Sequence, residues 1–168
     1  MKYILLICLL AATPAFSFDF KGLELNQKTT KNALKSSMGI KCYDIPKLKK
    51  MLCSAKTTVA GSDGEVSIIL TSDMIINSLF VTFKSNDYEN VKNAFITKFG
   101  TPLFDENEEV QNAMGAKFMQ NTVIWEKNGD SMTMRKYHET INEGILFLSS
   151  QKNNEANIQK DKNKEKDI

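Results

Sequence analysis

The dipeptide Asn128-Gly129 constrains this chain more than any other pair of residues. Asn-Gly accepts left-handed backbone at both central positions of a two-residue hairpin turn, whose twist then matches that of the flanking strands. Counting outward, Trp125 falls opposite Met132 and Val123 opposite Met134, while Glu126 faces Ser131 and Ile124 faces Thr133. The apolar partners coincide on one face, and a slip of one residue would undo that match. An antiparallel sheet with one apolar face needs a covering layer, which helices must supply.

Two helices are legible. In residues 86–102, Asn86 can cap the N-terminus with Glu89 reaching back to it, and Tyr88, Val91, Phe95 and Phe99 form one apolar stripe. Gly100 and Pro102 end that helix. Earlier, Thr29 or Thr30 can cap a shorter helix carrying Ala33, Leu34 and Met38 and stopped by Gly39. Asp44 and Pro46 predict one or two further helical turns with Leu48, Met51 and Leu52 on one side and lysines on the other. From Lys56 the period changes to two. Residues 56–61, 65–72 and 74–84 read as an antiparallel meander, and residues 144–150 as a last strand. Residues 18–26 allow a short first strand, and residues 103–120, rich in acids and asparagines, read as an exposed loop.

The expected fold is therefore α+β: an antiparallel sheet of about six strands with two helices on one face and the other face open. Two pseudo-repeated α-β-β-β units would occupy residues 18–84 and 85–150. A small closed barrel is the alternative. Residues 151–168 are too polar to bury surface that offsets their ordering, which predicts a disordered or frayed helical tail.

Residues 1–17 have the form of a secretory signal peptide: Lys2, an apolar run over residues 3–12, then Ala15 and Ser17 at the positions read by the peptidase. The run is too short to span a bilayer permanently. The expected location is periplasmic or secreted, with no transmembrane segment after cleavage. Cys42 and Cys53 are then the two cysteines of the mature chain, and in an oxidising compartment a disulfide is their simplest use. Their spacing is not CxxC, and the only histidine, His138, is far away, so a metal or redox pair is not indicated.

Chemistry finds little to hold. His138 beside Glu139 lacks a nucleophile in a recognisable setting, and Glu126 and Asp130 flank a tight exposed turn rather than a cleft. Phosphate-loop, dinucleotide and calcium-loop patterns are missing, so no enzyme, cofactor or metal is expected. Nucleic acid is disfavoured by export and by a net charge of only +2. Charge distribution is more informative: eight lysines lie between positions 26 and 60 against Asp44 alone. Lys47, Lys49 and Lys50 could face an anionic lipid or lipopolysaccharide. The open sheet face is the other candidate surface, with Phe80, Ile69, Ile124 and Leu146 or Leu148 exposed on it.

The order of a helix, Lys98-Phe99-Gly100-Thr101-Pro102, a loop, then a hairpin bearing Trp125 resembles small exported proteins of Gram-negative bacteria. The tandem helix-plus-sheet plan over residues 20–150 is similar to the β-lactamase-inhibitor-protein and outer-membrane-assembly lipoprotein folds. This chain departs from the lipoprotein members in lacking a lipidation cysteine. The resemblance implies binding to another envelope protein, as inhibitor or assembly factor, rather than chemistry.

Overall fold

The computed structural model describes residues 18–112, 114–151 and 153–154. The expected leader and most of the tail lie outside them. The elements are β1 (Asp19–Phe20), β2 (Leu23–Glu24), α1 (Lys31–Met38), β3 (Lys41–Ile45), β4 (Lys50–Val59), β5 (Ser62–Thr71), β6 (Ile76–Lys84), α2 (Tyr88–Phe99), β7 (Phe104–Gln111), β8 (Lys117–Lys127), β9 (Asp130–Arg135) and β10 (Glu143–Ser149). β1 and β2 pair only with each other. The other eight strands form one sheet in the order β3-β4-β5-β6-β10-β9-β8-β7, antiparallel throughout. Each half of the chain is thus a helix followed by a four-strand meander. The halves join through their last strands, β6 and β10.

Eight strands stand where about six were expected, and both additions have a physical reason. β7 occupies the expected loop at 103–120: it is an edge strand, with Val110 alone partly covered, so it carries no apolar alternation. The start of β3 falls in residues 40–43, which allow an extended segment, while its end and the start of β4 occupy the stretch expected to be helical. Only a single 3-10 turn, Pro46–Leu48, survives there. Met51 and Cys53 are buried while Leu52 points away, a period of two that outweighs the helical spacing of Leu48, Met51 and Leu52. Cys42 and Cys53 sit directly opposite each other on β3 and β4 and form the disulfide.

The hairpin at Asn128-Gly129 has the expected register, with Trp125 opposite Met132 and Val123 opposite Met134. Asn128 and Gly129 take φ of 53° and 82°, the left-handed values that such a turn requires. Thr30 caps α1, its side chain accepting from the Ala33 amide. The expected Asn86–Glu89 box is not made: a 3-10 turn, Ser85–Asp87, leads into α2, and Asp87 makes no side-chain cap bond.

One face of the sheet is the core. Val66, Ile68, Leu79, Val81, Val123, Met132, Met134, Leu146 and Leu148 are fully buried there. Leu34 of α1 and Tyr88, Val91 and Phe95 of α2 belong to the same apolar cluster, so both helices cover this face. The N-terminal strands close its end, with Phe18 edge-on to Phe99 at 5.5 Å, and the Trp125 indole donates to the Gly100 carbonyl at 2.8 Å.

Candidate functional site

Alternation sends the remaining strand residues to the other face. In β10, Leu146 and Leu148 point into the core, so the expectation that one of them is exposed is corrected: Ile145 and Phe147 face outward instead. Phe147 lies opposite Phe80 of β6, and the two rings stack with centroids 4.7 Å apart and planes 20° from parallel. Both remain half-buried. This pair marks the junction of the two halves, so the centre of the face opposite α1 and α2, uncovered by either helix, is aromatic.

Register places the neighbours. The row through Phe80 and Phe147 runs from Lys41 at the β3 edge to Ile124 and Phe104 on β8 and β7. The adjacent row contains Tyr43, Leu52 and Ile69. Tyr43 is 62% exposed, Leu52 36% and Phe104 38%. Ser54, Ser67 and Thr133 interrupt the first row, and charge grades across the face: Lys41, Lys50 and Lys56 lie on the β3–β4 side, Glu106 and Glu108 on β7. Such a face has an aromatic centre flanked by Ser67 and Thr133 and charges of opposite sign at its two edges.

Of the sequence-predicted residues, Phe80 and Ile124 thus share one row. Lys47 and Lys49 sit on the tight turn between β3 and β4, around a Leu48 that is 63% exposed, whereas Lys50 opens β4 on the uncovered face. Sequence reasoning missed Phe147, Ile145, Tyr43 and Phe104. Phe147 could have been found from the alternation Ile145, Phe147 against Leu146, Leu148, had the buried set been identifiable.

One end of the face carries a row of serines: Ser78, Ser149 and Ser131 on β6, β10 and β9. A helical turn carrying Gln151, Asn153 and Asn154 lies on them. Ser150 begins it, its carbonyl accepting from the Asn153 and Asn154 amides at 3.0 Å. The Asn153 side-chain amide donates to Ser78 Oγ at 3.1 Å and Ser149 Oγ at 3.0 Å, and that of Asn154 to Ser131 Oγ at 3.2 Å.

The helix side holds a polar cluster with a bracing role. Tyr88 donates to the side-chain oxygen of Asn121, which also accepts from Lys92 at 3.2 Å. Asn121 in turn donates to Asp105 at 2.8 Å, and Lys92 pairs with Asp105 at 2.6 Å. Burial, then the charges of Asp105 and Glu89, push the Tyr88 hydroxyl well above its usual range, so it stays a donor and is not a nucleophile. Burial alone would raise the Asp105 carboxyl, but the bonds from Lys92 and Asn121 and the Lys92 charge outweigh it and hold it below the usual aspartate value. The cluster ties α2 to β7 and β8.

His138 has Glu139 at 3.7 Å on an exposed turn, and its amide donates to the Glu143 carbonyl at 2.7 Å. Asp130, beside the hairpin turn, accepts from the Gln151 amide at 3.0 Å. Among the described residues no three of His, Cys, Asp or Glu are grouped to hold a metal ion, and no helix is long and apolar enough to cross a membrane. No family model, curated protein or solved structure matches the chain.

Proposed function

We propose that this is an exported, non-enzymatic binding protein that engages another envelope protein through the uncovered face of its sheet, as an inhibitor or assembly factor. The stacked Phe80–Phe147 pair at the centre of that face is the observation that carries the reading. Partly exposed aromatic rings, with Ile69, Ile124, Tyr43 and Phe104 elsewhere on the same face, leave apolar surface that a partner would remove from water. Broad sheet faces suit protein partners better than small molecules, which favour concave pockets. The Cys42–Cys53 cross-link fits an oxidising compartment outside the cytoplasm.

A second reading, anionic lipid bound at the β3–β4 turn, is favoured by Leu48 standing exposed between Lys47 and Lys49. Salt and mutation separate the two. Capture from envelope extract by the mature chain should survive high salt and the combined changes Lys47→Glu, Lys49→Glu and Lys50→Glu, but be abolished by Phe80→Glu with Ile124→Glu. Loss with the lysine changes, together with release from vesicles by salt, would transfer the function to the turn. A partner held equally by the Phe80→Glu, Ile124→Glu chain would refute the sheet-face reading.

A further inference from the structure

Two strands of the large sheet, β3 and β7, have a neighbour on one side only among the described residues. Hairpin turns fix which backbone groups these edges present. A two-residue turn is closed by a pair of residues that exchanges both N–H···O bonds, and such pairs alternate with pairs that exchange none. Lys127 and Asp130 close the Asn128-Gly129 turn, so the odd-numbered residues of β8 bond to β9 and the even-numbered ones to β7. In β7 the amides and carbonyls of Glu106 and Glu108 therefore point inward, and those of Asp105, Asn107 and Glu109 point out from the edge. The Asn112 amide, donating to the Ala116 carbonyl at 3.0 Å, continues that alternation. Val59 and Ser62 close the turn at Ala60-Gly61, whose φ of 47° and 86° are again left-handed, so the even-numbered residues of β4 bond to β3. This leaves the backbone groups of Cys42 and Asp44 pointing outward.

We propose that copies of this chain join head to tail, β7 of one adding antiparallel to β3 of the next, so that the sheet runs on from molecule to molecule. This assembly goes beyond the sheet-face reading and does not rest on it. Asp105 lies opposite buried Val123 and Cys42 opposite buried Cys53, so the outward-bonding residues of both edges carry their side chains on the helix side. Residues paired across strands share a face, and the joined sheets therefore keep all helices on one side. The charges are complementary as well: β7 carries Asp105, Glu106, Glu108 and Glu109, while Lys41 stands on β3 and Lys47 and Lys49 on the turn after it. Pairing β7 with a second β7 would set acids against acids, whereas the unlike edges attract. In the register that puts Glu108 opposite Lys41, Phe104 meets Ile45 on the same face and lies diagonal to Tyr43, and the pairs Asn107–Cys42 and Asp105–Asp44 exchange the edge bonds. Asp105 and Asp44 each already hold a lysine, Lys92 at 2.6 Å and Lys31 at 3.8 Å, which offsets their mutual repulsion. A contact between unlike edges does not close in a pair, so copies add until a ring forms or a row of copies grows.

Sedimentation velocity of the purified full chain at rising concentration tests this, with circular dichroism to confirm that each variant folds. The expected result is a sedimentation coefficient that climbs past that of a dimer with concentration and falls back at high salt. Glu108→Lys alone, or Lys41→Glu alone, should weaken association about tenfold, since each sets like charges opposite one another. An equimolar mixture of these two variants should regain it, because copies that alternate set opposite charges at every junction. Asn107→Pro, which removes an outward-pointing N–H and no bond within the sheet, should abolish association and leave the fold intact. A chain that stays monomeric or stops at a dimer, association indifferent to Glu108→Lys or Asn107→Pro, or a mixture that associates no better than either variant alone would overturn the proposal.

Discussion

Leu146 and Phe147 are adjacent and both apolar, near the middle of β10, yet the fold assigns them opposite fates. Leu146 is 0% exposed, sandwiched between Val81 and Met134 of the flanking strands on the helix-covered face. Replacing it with serine removes its apolar contacts, leaves a cavity and buries a hydroxyl. For a leucine at full burial the first two effects alone cost about 2–5 kcal/mol, and an unmatched hydroxyl adds about 1–3 kcal/mol. Phe147 loses its stacking with Phe80, worth about 0.5–1.5 kcal/mol, and some half-buried area, but the new hydroxyl stays on a face open to solvent. The difference between Leu146→Ser and Phe147→Ser should therefore exceed about 2 kcal/mol, a large part of the stability of about 5–15 kcal/mol typical of such a domain. With a urea m-value of about 1.5 kcal/mol/M, the two unfolding midpoints separate by more than about 1 M, Leu146→Ser the lower. Equal midpoints, or a lower one for Phe147→Ser, would mean that the outward face is packed as tightly as the core, and the reasoning that makes it a binding surface would fail.

Other perturbations probe the scaffold. A Cβ on Gly64 would stand 1.8 Å from the Thr82 carbonyl oxygen, so Gly64→Ala must push β5 and β6 apart and should lower stability by about 1–3 kcal/mol or prevent folding, read by urea titration and circular dichroism. Reducing the Cys42–Cys53 bond, which closes a separation of 11 residues, should lower stability by about 3 kcal/mol, measured as a shift in midpoint with and without reductant. Asp105 has its folded pKa depressed by Lys92 and Asn121, so its contribution is fully present above the unfolded value of about 3.9 and is lost as pH falls through the lower folded value. Asp105→Asn should accordingly flatten the loss of urea stability between about pH 5 and about pH 2, and an unchanged slope would remove the bracing role assigned to the cluster. Thr30→Ala, which leaves the Ala33 amide without its cap, should cost about 1 kcal/mol by the same titration.

What the sequence disclosed was local. The Asn128-Gly129 hairpin and its register, the cap at Thr30, the stop at Gly39 and the buried stripe of Tyr88, Val91 and Phe95 depend on neighbours a few residues apart, where turn chemistry and periodicity act directly. β7 was illegible because both of its faces are wet: Asp105, Glu106, Glu108 and Glu109 satisfy an edge strand and a loop equally well. Leu48, Met51 and Leu52 mimicked a helical stripe, and only the alternation of Met51 and Cys53 against Leu52 gave the strand away. The uncovered face was half legible. Phe80 and Ile124 alternate against known core residues, but the run from Ile145 to Leu148 is apolar on both sides, and no local signal says which side is covered. The pairing of β6 with β10, which creates the aromatic centre, joins residues far apart in the chain and leaves no trace in either segment alone.

The most direct measurement places a photo-cross-linking amino acid at Thr133, which lies between Phe147 and Ile124 in the central row, with a comparison probe at Asn93, exposed on α2, each carried by the full chain in the cell envelope and read as covalent adducts of higher mass. If the uncovered face is where this protein works, Thr133 should give a discrete adduct with a second polypeptide, Asn93 should give none, and Phe80→Glu should abolish the Thr133 adduct. An adduct formed from Asn93 and not from Thr133, or a Thr133 adduct indifferent to Phe80→Glu, would contradict the assignment of binding to the sheet face.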